Sequence, residues 1–358
     1  MWLKVQPDQN DQLAFTWGNM LGPHPCSYSV GRGTILAVAR DIRAVLERIA
    51  KWSQFREPAE LKSLLLDLVD EGSRLHFAIF DSPAKSTEIF ELQDWISEQF
   101  AQGDCELAVT ADSNFNIPWG FVFDGETLAP GEAFNESEAD CNQFWSLKYR
   151  LSTVFSASGR PVKSDRPRAH YKLLSIVDPD VFANVGPAER DGLLEVFKEP
   201  VGAAYNLEHC DKLLSEAAKC DTLIHFFGHC KDGRLDLGNE SIDTIRFKMM
   251  IEKLLARRTD RSMPYNLIFL NACDTLVGEL DESFRSAAAR PGLCGIVATE
   301  APVPQRFAAD FGLRFLKSML IEGRSIGETM EHLRRDPQLW PLSLLYSCYA
   351  FADYRIVS

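Results

Sequence analysis

Two apolar runs constrain what this chain can fold into more than any other feature: Asp221–Cys230 (DTLIHFFGHC) and Tyr265–Thr275 (YNLIFLNACDT). Each reads as a strand buried on both faces, because its apolar residues run on without the alternation of a half-exposed strand. Between them, Thr244–Arg258 sets Phe247, Met250, Ile251, Leu254 and Leu255 on one helical face. Strand, helix and strand make a crossover unit, whose right-handed connection lays the two strands parallel and side by side. The first run closes on His229 and Cys230, the second on Cys273 and its turn. Chemistry in an open parallel sheet gathers just beyond the carboxyl ends of the strands, so His229 and Cys273 are expected at one mouth. A thiol beside an imidazole is the minimum equipment of a cysteine nucleophile.

The alternation of strands and helices extends along the rest of the chain. Short strands are expected at Trp2–Val5 and Leu13–Trp17, then a helix with Ile35, Val38, Ile42, Val45, Leu46 and Ile49 inward. A helix over Glu60–Val69, a strand over Leu75–Phe80, a helix over Glu91–Phe100 and a strand over Glu106–Thr110 follow, which together imply a parallel sheet. After the acidic stretch Gly131–Asp140, the segment Ser156–Arg168 (SASGRPVKSDRPR) has the composition of a linker. A second series begins with the strand Lys172–Val177 and helices at Ala188–Lys198 and His209–Lys219. It ends with the strand Cys294–Thr299, helices at Pro304–Glu322 and Ser325–Arg335, and an apolar run from Leu344. Two α/β lobes are therefore expected, residues 1–165 and 166–358.

Composition removes several function classes. With 38 basic against 51 acidic residues and a net charge of −13, the chain lacks the clustered cations that neutralise phosphates, so no nucleic-acid partner is expected. Lys163, Arg166 and Arg168 read as a solvated part of the linker. Nine cysteines without framework spacing point to a reducing, cytoplasmic setting. No apolar stretch approaches the about 18 residues of a membrane span, and the N-terminal MWLKVQPDQN lacks the apolar core of a signal peptide, so no membrane partner is expected.

HFFGHC, followed 44 positions after His229 by the cysteine of LNACDT, with NIPWGFVFD upstream and ATEAPVPQRFAADFGLRFLKSMLIEGRSIGETMEHLRR downstream, resembles the CHAT family of caspase-like cysteine proteases. The resemblance implies a caspase-like α/β sandwich with a mostly parallel central sheet. It also implies a degenerate caspase-like N-terminal lobe before an active C-terminal one, as in separase and its relatives. Carried over by position, Cys273 is the nucleophile and His229 the general acid/base, with the backbone amides of Cys230 and Cys273 as the oxyanion hole. A free thiol titrates near about 8.5, so the imidazole is needed to raise the thiolate population and then to protonate the leaving amine. Asn271, two residues before the nucleophile, and Glu300, after the following strand, are the implied walls of the S1 pocket. Glu300 would favour Arg or Lys at P1 through a charge-assisted hydrogen bond; a neutral pocket choosing a medium-sized side chain is the alternative. No cofactor and no metal is implied. The implied partners are a protein substrate, with gasdermin-like pore formers or CRISPR-linked proteins as candidates, and a separate activating protein, in bacterial immunity or programmed death. Cys230 departs from the family, which has glycine there, and raises the expectation of backbone strain; it also leaves open a silent, caspase-like scaffold.

Other chemistry-bearing residues have plainer readings. His225 shares a face with His229 two pleats back and reads as a core or supporting histidine. His209, Cys210, Cys220, His225, His229 and Cys230 are zinc-ligand types within 22 residues, but lack the paired spacing of a finger or ribbon. Asp178, Asp180 and Asp232 read as solvated loop carboxylates, Asp274 as facing the loop after the nucleophile. Trp119, Phe307, Phe311, Phe315 and Met319 read as core.

Overall fold

The computed structural model describes residues 1–53, 57–80, 87–101, 106–112, 116–125, 141–155, 165–167, 171–197, 202–217, 221–256, 266–273, 275–276, 284, 290 and 292–357. The chain divides into two compact units, Met1–Val154 and Phe155–Ser358. The boundary therefore falls just before the Ser–Pro-rich segment, most of which lies outside the described residues together with Gly131–Asp140, Cys220 and Asp274.

The N-terminal unit opens with β1 (Trp2–Asp8), β2 (Gln12–Asn19) and β3 (Gly22–Gly31), then α1 (Arg32–Trp52), α2 (Pro58–Phe80) and α3 (Thr87–Ala101). It continues with β4 (Glu106–Ala111), the short α4 (Trp145–Lys148) and β5 (Arg150–Phe155). Its sheet runs β3-β2-β1-β4-β5, with β1, β2 and β3 an antiparallel meander and β1 parallel to β4. The expected parallel sheet is thus a mixed one. Leu75–Phe80, read as a strand, forms the last turns of α2. Its buried residues Leu75, Ala78 and Ile79 continue the helical spacing of Leu64, Leu65, Leu68 and Val69, whereas Phe77 points outward. Trp119 is core, 1% exposed.

The C-terminal unit carries β6 (Asp165–Pro167), β7 (Tyr171–Val177), α5 (Pro179–Ala183), α6 (Pro187–Phe197), β8 (Gly202–Ala204), α7 (Leu207–Ala217) and β9 (Asp221–Phe227). A small meander follows, β10 (Cys230–Lys231), β11 (Arg234–Leu237) and β12 (Glu240–Asp243), and then α8 (Thr244–Ala256) and β13 (Asn266–Asn271). The unit ends with β14 (Leu293–Thr299), α9 (Gln305–Leu320), α10 (Ile326–Arg335), β15 (Tyr346–Ala350) and β16 (Arg355–Val357).

Six strands make the central sheet in the order β15-β14-β13-β9-β7-β8. All neighbours pair in parallel except β15, which returns antiparallel to β14. β9 and β13 are adjacent, as the crossover requires, and every residue of β13 is buried. Phe269 lies on the face covered by α6 and α9: its ring centroid is 4.4 Å from that of Phe315 and 5.1 Å from that of His225, which also packs on Phe197 of α6. Burying a phenylalanine this fully contributes about 1.5–3 kcal/mol. Phe311, Phe315 and Met319 are all at 0% exposure, the core stripe their spacing predicts. Among the described residues, no helix is long and apolar enough to cross a membrane.

Candidate active site

Register brings the two expected reactive residues to one place along the sheet. β9 and β13 pair from Thr222 and Asn266 to Phe227 and Asn271, and Gly228 N–H continues the ladder to the Asn271 carbonyl at 3.5 Å. His229 and Cys273 each stand two residues beyond the last pair, at equivalent positions past strands about 4.8 Å apart. Gly228 lets β9 end there: a Cβ on it would lie 2.8 Å from Cβ of Asp178 and 3.1 Å from the Phe226 ring. Asp178 closes the neighbouring β7. Its N–H donates to the Phe227 carbonyl at 2.8 Å, and its carboxylate accepts from the N–H groups of Asp180 (3.0 Å) and Gly238 (3.4 Å). It is therefore a buried helix cap, 3% exposed, and not the solvated carboxylate its position suggested.

His229 is exposed, and its carbonyl accepts the Asp236 N–H at 2.9 Å, which ties it to the small meander. The hairpin between β10 and β11 turns through Asp232 and Gly233, at φ 50° and 69°, the paired positive values of a type I′ turn. Asp232 thus serves the turn. Cys230 pairs with Leu235 in β10, and the non-glycine residues with positive φ among those described are Asn10, Asp11 and Asp232. Cys230 does not adopt a glycine conformation, so the expected backbone strain is absent.

Cys273 is half-buried. Its Sγ accepts the Val303 N–H at 3.4 Å and lies 3.6 Å from the Val303 carbonyl. Only the first contact survives ionisation, since a thiolate has no proton to donate. The turn that carries the sulfur is bracketed by buried hydroxyls. Thr299 Oγ1 donates to the Ala272 carbonyl and accepts the Thr275 N–H at 3.3 Å; the two threonine Oγ1 atoms are 3.1 Å apart; and Thr275 Oγ1 accepts the Thr299 N–H at 3.1 Å. Nothing in the sequence pattern singles out these threonines.

Asn271 and Glu300 take up other duties than the S1 walls expected of them. Asn271 is 1% exposed; its Nδ2 donates to the Ala308 carbonyl of α9 at 2.8 Å and its Oδ1 accepts from the Tyr346 hydroxyl. Tyr346 stacks on Phe311 at 3.8 Å, and burial pushes its hydroxyl well above the usual tyrosine range, with Cys273 adding to the shift. Glu300 is at 0% exposure, its carboxylate accepting from the Tyr349 hydroxyl at 2.8 Å. Tyr346 and Tyr349 stand three residues apart on β15 and so project to opposite faces of the sheet. Asn271 and Glu300 are thus each held by a different tyrosine of β15.

His225 is fully buried, with Nδ1 3.4 Å from Ser175 Oγ and Nε2 without a hydrogen-bond partner among the described residues. Burial pushes its pKa down to about 3, so it is a neutral core residue. Among the described residues no three His, Cys, Asp or Glu side chains converge as a metal-binding group.

No protein-family model and no curated protein matches the chain. Solved structures do. Two structures of the Saccharomyces cerevisiae separase–securin complex superpose with TM-scores of 0.57 and 0.52 at 9% and 8% identity, covering 99% and 100% of this chain. The chain spans 30% of the length of the separase it matches. The Arg-specific cysteine proteinase gingipain R is also similar, with a TM-score of 0.48 and 12% identity over 81% of this chain and 74% of that one. At such identities the likeness carries architecture and not activity. The chain has the caspase-like α/β fold, built here on a mostly parallel six-stranded sheet.

Proposed function

We propose that this chain is a cysteine endopeptidase of the CHAT type, with Cys273 as nucleophile and His229 as general acid/base. The observation that carries the reading is the β9–β13 register, which sets both residues two positions past the same paired rung of a caspase-like sheet. In the proposed reaction His229 takes the thiol proton, and the Cys273 thiolate attacks the scissile carbonyl. The amides of Cys230 and Cys273 hold the oxyanion, a donor pair whose loss of one member costs about 2.7–4 kcal/mol in acyl-transfer enzymes. His229 then protonates the leaving amine, and water hydrolyses the thioester. Val303 N–H, already on the sulfur, favours the negative charge that forms there.

The proposed substrate is a specific protein, cut under the control of an activating partner in the cytoplasm, as part of bacterial immunity or cell death. A gasdermin-like or CRISPR-linked protein is the first candidate substrate. The rival reading, a silent scaffold, drew on Cys230 in the glycine position; its backbone φ is not positive, which takes away the part of that support that rests on strain. The test is mass-spectrometric profiling of cleavage in a diverse peptide library, with and without proteins encoded nearby. Wild-type chain should cut after a preferred residue, and Cys273→Ala and His229→Ala should lose at least a thousandfold in kcat/KM while staying folded. Equal cleavage by Cys273→Ala would remove the dyad.

A further inference from the structure

Thr299 stands at the end of β14, 26 residues beyond Cys273 in sequence, yet its side chain and main chain touch both flanks of the nucleophile turn. The directions of the hydrogen bonds follow by elimination. A carbonyl can only accept, so the single hydroxyl proton of Thr299 goes to Ala272 O. The contact between the two hydroxyls must then run from Thr275 to Thr299. Thr299 Oγ1 accepts from Thr275 twice, through N–H and O–H, and Thr275 Oγ1 accepts the Thr299 N–H in return. Each hydroxyl has its one proton placed, and both threonines are at 0% exposure. The Thr299 carbonyl adds a bond from Leu276 N–H at 3.1 Å. Ala272 before the sulfur and Thr275 after it are thereby fixed to one residue of the neighbouring strand. Four residues further along that same chain, Val303 presents the N–H that meets the sulfur itself.

We infer that Thr299, through its hydroxyl, is a positioning residue for Cys273: it sets the turn that aims the thiol and couples that turn to the segment carrying Val303. This deepens the peptidase reading and rests on it for its meaning in catalysis, but the coupling has a readout that needs no substrate. Oriented attack requires reacting atoms to be held within a few tenths of an ångström of a productive approach, so a loosened turn lowers the turnover rate more than binding. Thr299→Val keeps the shape of the side chain and deletes the hydroxyl, leaving the Ala272 carbonyl and the Thr275 N–H and O–H without their partner in a buried site. Thr299→Ser keeps the hydroxyl and loses the methyl.

The experiment compares the full chain as wild type, Thr299→Val, Thr299→Ser and Thr275→Val. The rate of iodoacetamide alkylation at Cys273 is followed by peptide mass spectrometry from pH 5 to 9, with Cys230 in the same samples as an internal reference. Thr299→Val and Thr275→Val should change the Cys273 rate relative to Cys230 by threefold or more and shift the midpoint of its pH profile, and Thr299→Ser should restore both. With a cleaved peptide in hand, Thr299→Val should lower kcat at least tenfold with KM within twofold, and Thr299→Ser should return kcat to within threefold of wild type. Unchanged alkylation in the folded Val variants overturns the inference, as does a Ser variant as impaired as the Val variant, which would assign the effect to packing. Should Thr299→Val not fold, Thr275→Val decides on the same criteria. A wild-type chain that cuts no peptide with or without the proteins encoded nearby, while the Val variants alter Cys273 reactivity, would sink the peptidase reading and keep the positioning role.

Discussion

Replacing Gly312 by alanine tests the packing beneath β13 directly. In an ordinary helix interior the change is favourable by about 1 kcal/mol, because alanine loses less conformational freedom on folding. Here a Cβ on Gly312 would stand 2.4 Å from Nδ2 of Asn271, more than 1 Å inside the about 3.5 Å contact that non-bonded heavy atoms tolerate. Nδ2 is held by the Ala308 carbonyl at 2.8 Å, and Oδ1 by the Tyr346 hydroxyl. The amide cannot retreat by that much and keep both. Overpacking a close-packed core costs about 1–3 kcal/mol, and leaving buried hydrogen-bonding groups unsatisfied adds about 1–3 kcal/mol. After the helix gain, a net loss of about 1–5 kcal/mol remains. On a unit of about 200 residues, each kcal/mol moves the midpoint by about 2–4 °C, so Gly312→Ala should lower the affected transition by about 2–20 °C in calorimetry of the whole chain. In an Asn271→Ala background the clash partner is gone, and the cost of Gly312→Ala should shrink by 1 kcal/mol or more in a double-mutant cycle. A Gly312→Ala chain as stable as wild type, or a cycle that closes without coupling, would refute the placement of the Asn271 amide under α9.

Other consequences follow from single side chains. His225 has its pKa lowered to about 3 by burial, against an ordinary value of 6.5, so the unfolded chain takes up its proton first as pH falls. Its contribution is complete above pH 6.5 and is lost on the way down towards 3, by about 1.4 kcal/mol per pH unit. Urea unfolding at pH 7 and 5.5 should show this loss in wild type, and His225→Phe should show a correspondingly smaller one; equal losses in the two would sink the idea. In the capping box of α10, Ser325 Oγ accepts the Glu328 N–H at 3.2 Å while the Glu328 carboxylate accepts the Ser325 N–H at 2.7 Å. Ser325→Ala should cost about 0.5–2 kcal/mol by thermal unfolding, and Ser325→Asp should recover part of it.

The reactive strands were the most legible part of the chain because both are long, apolar and bounded, and because the helix between them leaves one handedness for their connection. Adjacency of β9 and β13 followed from that local grammar alone. Leu75–Phe80 was misread because a short apolar run has no period of its own; it becomes helical only as the continuation of Leu64–Val69. The meander at Cys230–Asp243 was overlooked although Asp232–Gly233 is a hairpin signal in the sequence itself. Its strands of two to four residues are too short to show alternation.

The surroundings of Asn271 and Glu300 were illegible for a different reason. Spacing from the nucleophile says which residue lies two before it, but not what covers that residue. Tyr346, 75 positions away, donates to the Asn271 side-chain amide oxygen, and Tyr349 donates to the Glu300 carboxylate. By itself, then, the sequence determined most of the sheet-forming runs, the helical faces and the adjacency of the two strands that lead to His229 and Cys273, since those depend on periodicity and connection. Only tertiary structure decided what holds the turn at Cys273. The Thr299–Thr275 ring, the Val303 amide and the Asn271–Tyr346 bond join residues brought together by strand register, and hydrogen-bond partners of that kind leave no periodic trace in the order of amino acids.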